Sequence, residues 1–418
     1  MSKQLALKSY PRPLRILHTS DWHLGKNLLG KKDRNPELEL FLDWLLETIT
    51  QVEIDLLIVA GDIFDTVAPS SASQKLYYDF LLRIQSTNCK QVLITAGNHD
   101  SPAFIDAPKA LLESLNVKVV SHVRESLAEQ IMVVRDKEDN PTAIVAAVPY
   151  LQERNISQFV AGESYDDRGS RVSAAIKNHY RDLADLAVEK RQELQGDIPL
   201  ISTGHLAIMG GLRTTDDEVL DTFIGKIQGL SPSIFPEEFD FVCLGHFHIA
   251  SGLGQRANYS GTPIPMGFGE VGQEKVVNII EFGEKSQLRR VKIPVFQKIQ
   301  IVQGDLNFIK KELQKLVDQK ADVWLEVVYD GEDYCSILTD EVNSIVKDSL
   351  VQVLKITNKQ AKPVLPGNEF KGQKLTEFTP KSIFEDLMDK KGVNAEDQKL
   401  LMGAYLEILA EVQAGVEQ

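Results

Sequence analysis

Five short apolar runs in this chain of 418 residues each stop at a serine or glycine and at once release aspartate, asparagine or histidine. Residues 14–20 (LRILHTS) lead to Asp21 and His23, and residues 54–60 (IDLLIVA) lead to Gly61-Asp62 with Asp65 three residues on. Residues 91–95 lead to Gly97-Asn98-His99-Asp100, residues 199–203 to Gly204-His205, and residues 239–244 to Gly245-His246-Phe247-His248. Helical patterns alternate with the first three runs: 36–52 carries Leu38, Phe41, Leu42, Leu45, Leu46 and Ile49 on one face, and 73–85 carries Leu76, Tyr77, Phe80, Leu81 and Ile84. This alternation predicts an α/β fold with parallel strands, in which ligands gather in the crevice outside the carboxyl ends of the strands. A lone Asp after a strand is usually a helix cap and a lone His a hydrogen-bonded structural group. Five independent placements point instead to a shared site. His18 lies inside the first run, upstream of its end, and His122 has no companion motif. His179 sits in a charged helical stretch, 172–195, where a solvated surface position is expected.

Beyond a helix near 107–115, the pattern changes to adjacent strands at 118–123, 130–134 and 143–148, the last two joined as a hairpin around Asp139-Asn140-Pro141. Residues 162–170 are polar and read as a loop, and the runs 255–259, 276–282 and 288–295 are expected to complete a second sheet. From 298 the order is strand 298–302, helix 306–317, strand 323–329, helix 340–349, strand 351–356, which fits a small separate domain of split βαβ type. A proline-containing polar stretch then reads as a linker, followed by short helices at 382–389 and 396–413. The expected division is a tail 1–13, a main domain 14–296, a small α+β cap 297–356, a linker 357–381 and a helical tail 382–418. The apolar faces of the tail helices suit either the body of the protein or a partner.

An apolar content of 43% with 25% charged residues is that of a globular protein, and the longest apolar runs are too short for a membrane span. The formal charge of -14 argues against holding nucleic acid by bulk positive charge, so such a substrate would need metal ions, local basic patches or a partner. Cys89, Cys243 and Cys335 lack CxxC spacing, which indicates neither a disulfide framework nor a thiolate site and fits a reducing, cytoplasmic compartment.

Asp21, His23, Asp62, Asn98, His205, His246 and His248 are seven oxygen and nitrogen donors without sulfur. Seven exceed what one ion with an open position takes, but suit two ions sharing a carboxylate, and mixed imidazole and carboxylate donors favour Mn, Fe or Zn over Mg. Two such ions support phosphoester hydrolysis.

Taken in order, DWHLG (21–25), GDIFD (61–65), GNHD (97–100), GH (204–205) and GHFH (245–248) resemble the calcineurin-like metallophosphoesterase family. The wording HTSDWHLG, VAGDIFD, AGNHDS and LGHFH, followed by YSGTPIP, is similar to a DNA nuclease branch of that family over about residues 14–269; beyond that the likeness is one of layout. The resemblance implies a two-sheet β-sandwich flanked by helices, with a small capping domain and a helical tail. It implies two Mn ions, with Fe or Zn as alternatives: Asp21, His23, Asp62 and His248 on one, and Asp62 bridging to a second held by Asn98, His205 and His246. His99 is not among these ligands and would stabilise the transition state or protonate the leaving oxygen, work suited to an imidazole near neutral pH. Asp100 would orient His99 or cap a helix. Some relatives outside bacteria carry His where this chain has Asp65, so a second catalytic histidine is not expected there. The implied activity is exonuclease action on double-stranded DNA and endonuclease action on single-stranded or hairpin DNA, in repair, recombination and replication. The implied partners are DNA, a large coiled-coil ATPase bound by the tail helices, and a second copy of this chain through helices flanking the first strands. A phosphoesterase of the same fold acting on nucleotides, phosphoproteins or small phosphodiesters is the competing expectation. The intact donor set, together with His99, argues against a noncatalytic scaffold.

Overall fold

Strands too apolar to face water on either side must be covered twice, and the first half of the chain arranges this by alternation. The computed structural model describes residues 13–158, 160, 162–212, 230–283, 286–332, 335–360, 384, 388, 398 and 401–406. The order begins β1 (Leu14–Thr19), a small hairpin β2 (Asn27–Leu28) and β3 (Lys32–Asp33), α1 (Asn35–Val52), β4 (Leu56–Ala60) and α2 (Ser71–Ile84). It continues with β5 (Gln91–Thr95), α3 (Pro102–Asp106), α4 (Lys109–Ser114) and β6 (Val117–Val120). β1, β4, β5 and β6 pair in parallel, and every residue of β4 is buried. The stripes of α1 and α2 bury Leu38, Phe41, Leu45, Tyr77 and Phe80 against Leu57, Val59 and Ile94 on the outer face of this sheet. Burial of each such side chain contributes about 1.5–3 kcal/mol. The helix expected near 107–115 is α4, and a further short helix, α3, precedes it, the two being separate at Pro108, which lacks the N–H that a continuous helix would use there.

A second set follows: β7 (Ile131–Arg135), β8 (Pro141–Ala146), α5 (Glu153–Ile156), α6 (Tyr165–Glu193), β9 (Leu200–His205), β10 (Phe241–Gly245), β11 (Gly252–Leu253) and β12 (Ala257–Tyr259). These strands form a sheet in the order β11-β12-β10-β9-β8-β7, parallel from β8 through β12. Its inner face places Val145, Ile201 and Cys243 against Ile16, Ile58 and Leu93 of the first sheet, and α6 covers its outer face. The result is four layers: helices, sheet, sheet, helix.

Three expectations change here. The hairpin β13 (Val276–Phe282) and β14 (Ser286–Lys292) joins the first sheet, with β13 antiparallel to β1, and not the second. Alternation marks the hairpin, but its edge is chosen by packing: Val277 and Ile279 enter the core under α1, while Ile280 enters the core between the sheets. Much of 162–170 is helical, because Ser164 accepts a hydrogen bond from the Asp167 N–H and starts α6 with Asp166 and Asp167 in its first turn. His179 is 7% exposed, not solvated: it lies on the face of α6 that buries Ile176, Tyr180 and Leu183, with Nε2 3.4 Å from Gln130 Nε2. Burial lowers its pKa to about 4.

Finally, β15 (Lys298–Gly304), α7 (Leu306–Asp318), β16 (Val323–Tyr329), α8 (Leu338–Val346) and β17 (Val351–Asn358) form a parallel three-stranded sheet in sequence order. The strands are direct neighbours, so this is not the split arrangement expected. Ile309, Leu313, Leu316 and Val342 of the two helices share one core with Val323, Leu325 and Val327. The unit seats on the sandwich through Ile299 and Leu354 against Leu28 and Phe268, with Lys32 and Arg34 over the Trp324 ring at 5.5 and 5.6 Å. The expected N-terminal tail, linker and tail helices lie almost wholly outside the described residues; within the last, the rings of Phe384 and Tyr405 stack at 4.0 Å.

Candidate metal centre

The loops leaving β1, β4 and β5, parallel neighbours in one sheet, meet those leaving β9 and β10, parallel neighbours in the sheet packed against it. The Asp21 N–H donates to the Gly61 carbonyl at 2.9 Å and the His23 N–H to the Asp62 carbonyl at 3.0 Å. Asp21, His23, Asp62 and His246 all adopt positive φ, at 51°, 47°, 50° and 100°, a sparsely populated backbone region for residues with side chains. Such local strain persists only where surrounding structure holds it, and it clusters at functional sites. The glycines preceding the donors are demanded by contact. A Cβ on Gly97 would lie 2.0 Å from Asp62 Oδ1, and one on Gly61 would lie 2.2 Å from His205 Nδ1.

All seven predicted donors come together. Asp62 Oδ2 stands between two imidazoles, 3.7 Å from His23 Nε2 and 3.2 Å from His205 Nε2. Asn98 Oδ1 lies 3.1 Å from His205 Nε2 and 3.0 Å from His246 Nδ1. Asp21, His23 and His248 present ligand atoms within 4.8 Å of one another, as do Asp21, Asp62 and His205. The His246 N–H donates to both oxygens of Asp21, at 2.9 and 3.2 Å. The donors fit divalent cations: His23 Nε2 is buried without a hydrogen-bond partner and faces the carboxylate of Asp62. A cation among these oxygens and nitrogens would satisfy their inward-facing lone pairs.

The electrostatics are those of a crowded buried cluster. Burial opposes ionisation of Asp62, but the positive charge on His205, its hydrogen bond and the charge on His23 hold the Asp62 carboxyl well below its ordinary range. For His205 burial acts downward and is overcome by attraction to Asp62, which raises the ring to about 9. Burial, reinforced by the charge on His205, lowers His246 to about 3. Asp21 is raised, chiefly by burial.

His99 borders the cluster, its ring centroid 4.9 Å from that of His23. Its N–H donates to Asp62 Oδ1 at 2.9 Å, and its Nδ1–H donates to the Asp65 carbonyl at 3.0 Å. Asp100 does not cap α3. Its two oxygens accept the N–H groups of Ile63, Phe64 and Gly97, tying the loop after β4 to the loop after β5, while Ser101 caps α3. Burial, with Asp62 nearby, raises Asp100 to about 6.

Two carboxylates to which the sequence assigned no role stand behind the donors. Asp65 Oδ1 lies 3.3 Å from His23 Nδ1 and 3.1 Å from Lys26 Nζ. Glu270 Oε1 accepts the Nδ1–H of His248 at 2.8 Å. The signal for Asp65 was present in the repeated acid of GDIFD; Glu270 stands alone in a Gly-rich turn, with nothing to mark it.

A family model described as calcineurin-like phosphoesterase matches residues 14–250. The SbcD subunit of the nuclease SbcCD of Escherichia coli strain K12 is 33% identical over 407 residues, which cover 95% of this chain and 98% of that protein. The chain belongs to the SbcD nuclease subunits of the calcineurin-like phosphoesterase family. The SbcD protein of Rhodobacter capsulatus is 33% identical over 288 residues, covering 67% of this chain and 69% of that protein. That of Bacillus subtilis is 27% identical over 279 residues, covering 64% and 66%. A second family model, described as type 5 capsule protein repressor C-terminal domain, matches residues 295–391. The chain is thus a metal-dependent phosphodiesterase. Among the described residues no helix is long and apolar enough to cross a membrane.

Proposed function

We propose that this SbcD-type chain is a Mn-dependent DNA nuclease, an exonuclease on double-stranded DNA and an endonuclease on single-stranded or hairpin DNA. It acts in the cytoplasm, in DNA repair and recombination, with an SbcC-type coiled-coil ATPase, as a homodimer within a heterotetramer. The observation that carries the metal reading is the position of Asp62 Oδ2 between the imidazoles of His23 and His205. Asp21, His23, Asp62 and His248 would hold one ion, and Asp62, Asn98, His205 and His246 the other. Such a pair of ions, when bound, supplies a nucleophilic water and neutralises charge on phosphate oxygens.

The protein's own groups do the rest. The hydrogen bond from His99 Nδ1 to the Asp65 carbonyl fixes the ring's orientation, and the imidazole would supply the proton that the departing oxygen needs. Residues 297–356 form the cap, and residues 382–418 carry the partner site. An acidic chain that acts on DNA draws its affinity from ions and partner, because the backbone contribution to binding is electrostatic.

The deciding experiment measures Mn-dependent cleavage of labelled single-stranded and hairpin DNA by the purified chain, beside hydrolysis of bis-nitrophenyl phosphate. DNA cleavage that His99→Ala lowers by about 10²–10⁴-fold, with Mn still bound, is the expected result. Hydrolysis of the small ester alone would return the substrate to the competing class of nucleotides, phosphoproteins and small phosphodiesters.

A further inference from the structure

The donors of the centre are not backed alike from outside. His205 Nδ1 donates to a backbone oxygen, the Ala60 carbonyl, at 2.9 Å. His248 Nδ1 donates instead to a full carboxylate, Glu270, which is 0% exposed. The second oxygen of Glu270 accepts from Thr262 Oγ1 at 3.1 Å, from the Met266 N–H at 3.2 Å and from Lys275 Nζ. Lys275 also donates to Thr262 Oγ1 at 2.8 Å and to the carbonyl of His248 itself at 3.1 Å. The imidazole, the carboxylate and the ammonium thus close a ring of contacts around one ligand, at both its side chain and its backbone. The turn that carries Glu270, Phe268–Glu270, is held from the far side by Phe268 in the apolar seat of the cap.

Burying both a carboxylate and an ammonium is costly, and a hydrophobic pair of the same size would serve packing at least as well. The network therefore has a use beyond packing. A carboxylate that accepts the distal N–H of a metal-binding imidazole fixes its tautomer and orientation and increases its basicity.

We infer that Glu270, locked by Lys275, is a positioning residue that sets the affinity of one of the two ions, the one His248 holds, and leaves unchanged that of the other, held by Asp62, Asn98, His205 and His246, of which His205 is backed by a main-chain oxygen. This rests on the two-ion reading above. Glu270→Gln keeps an oxygen facing His248 and removes the charge. Because it strands the Lys275 ammonium in the interior, the double variant Glu270→Gln/Lys275→Met is measured beside it.

The test is Mn binding to the full chain by equilibrium dialysis, with electron paramagnetic resonance to distinguish an isolated ion from a coupled pair, and thermal unfolding in chelator as the check of folding. Two ions and a coupled spectrum are expected for the wild type. In a variant that retains a cooperative unfolding transition, one ion should bind about 10–100-fold more weakly and the other unchanged, so that Mn at wild-type saturation gives one ion and an uncoupled spectrum. Two ions of wild-type affinity in both variants would overturn the inference. Equal weakening of both ions would overturn it as well, because Glu270 would then support the whole site and not His248. A wild type that takes up fewer than two ions would remove the two-ion reading and the inference with it.

Discussion

The sandwich and the cap are built from the same unit, parallel strands joined by amphipathic helices, yet the strand ends of only one gather donors. In the sandwich, besides helix ends such as Glu53 and Gln195, positive φ falls on Asp21, His23, Asp62 and His246, beyond strands β1, β4 and β10. In the cap it falls on Lys320 and Asp348, just past the ends of α7 and α8, where a left-handed residue closes a helix. The cap strands end at Gly304, Tyr329 and Asn358 with no cluster of metal-type donors among the described residues. Topology alone therefore does not make a site. What differs is that the sandwich has strained backbone at strand ends as well as at helix ends, and there it turns side chains toward one point.

The largest effect expected from breaking this contrast is at Asp62. Asp62→Ala removes the oxygen between the two halves of the centre, and should abolish both Mn binding by equilibrium dialysis and phosphodiester hydrolysis. Retention of two ions would show that Asp62 does not bridge. Next comes a pair of identical substitutions in the two regions. In Gly97→Ala the new Cβ meets Asp62 Oδ1 and the Asp62 backbone nitrogen, at 2.0 and 2.4 Å, so Mn affinity and activity should fall sharply. In Gly304→Ala the Cβ meets the exposed, movable ring of Phe308, and the change in stability should stay within about 0.5 kcal/mol in a denaturant titration. Similar losses from both would erase the distinction.

The smallest effect is on pH dependence without metal. The folded-state pKa of His205 is raised from 6.5 to about 9 through Asp62, so the pair's contribution to stability is fully present below pH 6.5 and lost as pH rises through 9. Thermal unfolding in chelator should therefore move to lower temperature between those values, and His205→Gln should flatten that part of the curve. An unchanged slope would show that the ion pair does not contribute.

Much of the site was legible because each donor-bearing segment begins at a glycine or serine that ends an apolar run, and glycine there is a steric necessity at Gly61 and Gly97. The family signature supplied the same residues in the same order. What escaped notice were groups acting at second hand. Glu270 reaches His248 across 22 positions of sequence, and Asp100 binds amide groups 36 and 37 residues away, contacts that no local pattern announces. His179 was misplaced for a related reason. A helix with many Lys, Arg and Asp residues still has a face that packs, and which residues lie on it depends on how the helix meets the sheet.

The sequence by itself determined the alternation of β1 through β5, the amphipathic faces of α1 and α2, and the identity of the seven donors, because periodicity and residue type act over a few positions. Tertiary structure alone decided that β13 and β14 border β1, that the cap strands are direct neighbours, and that Asp62 stands between two imidazoles. Those choices depend on which surfaces bury one another best. The carboxylates behind the centre were decided there too, since a buried charge is placed by the partners that satisfy it, wherever in the chain they occur.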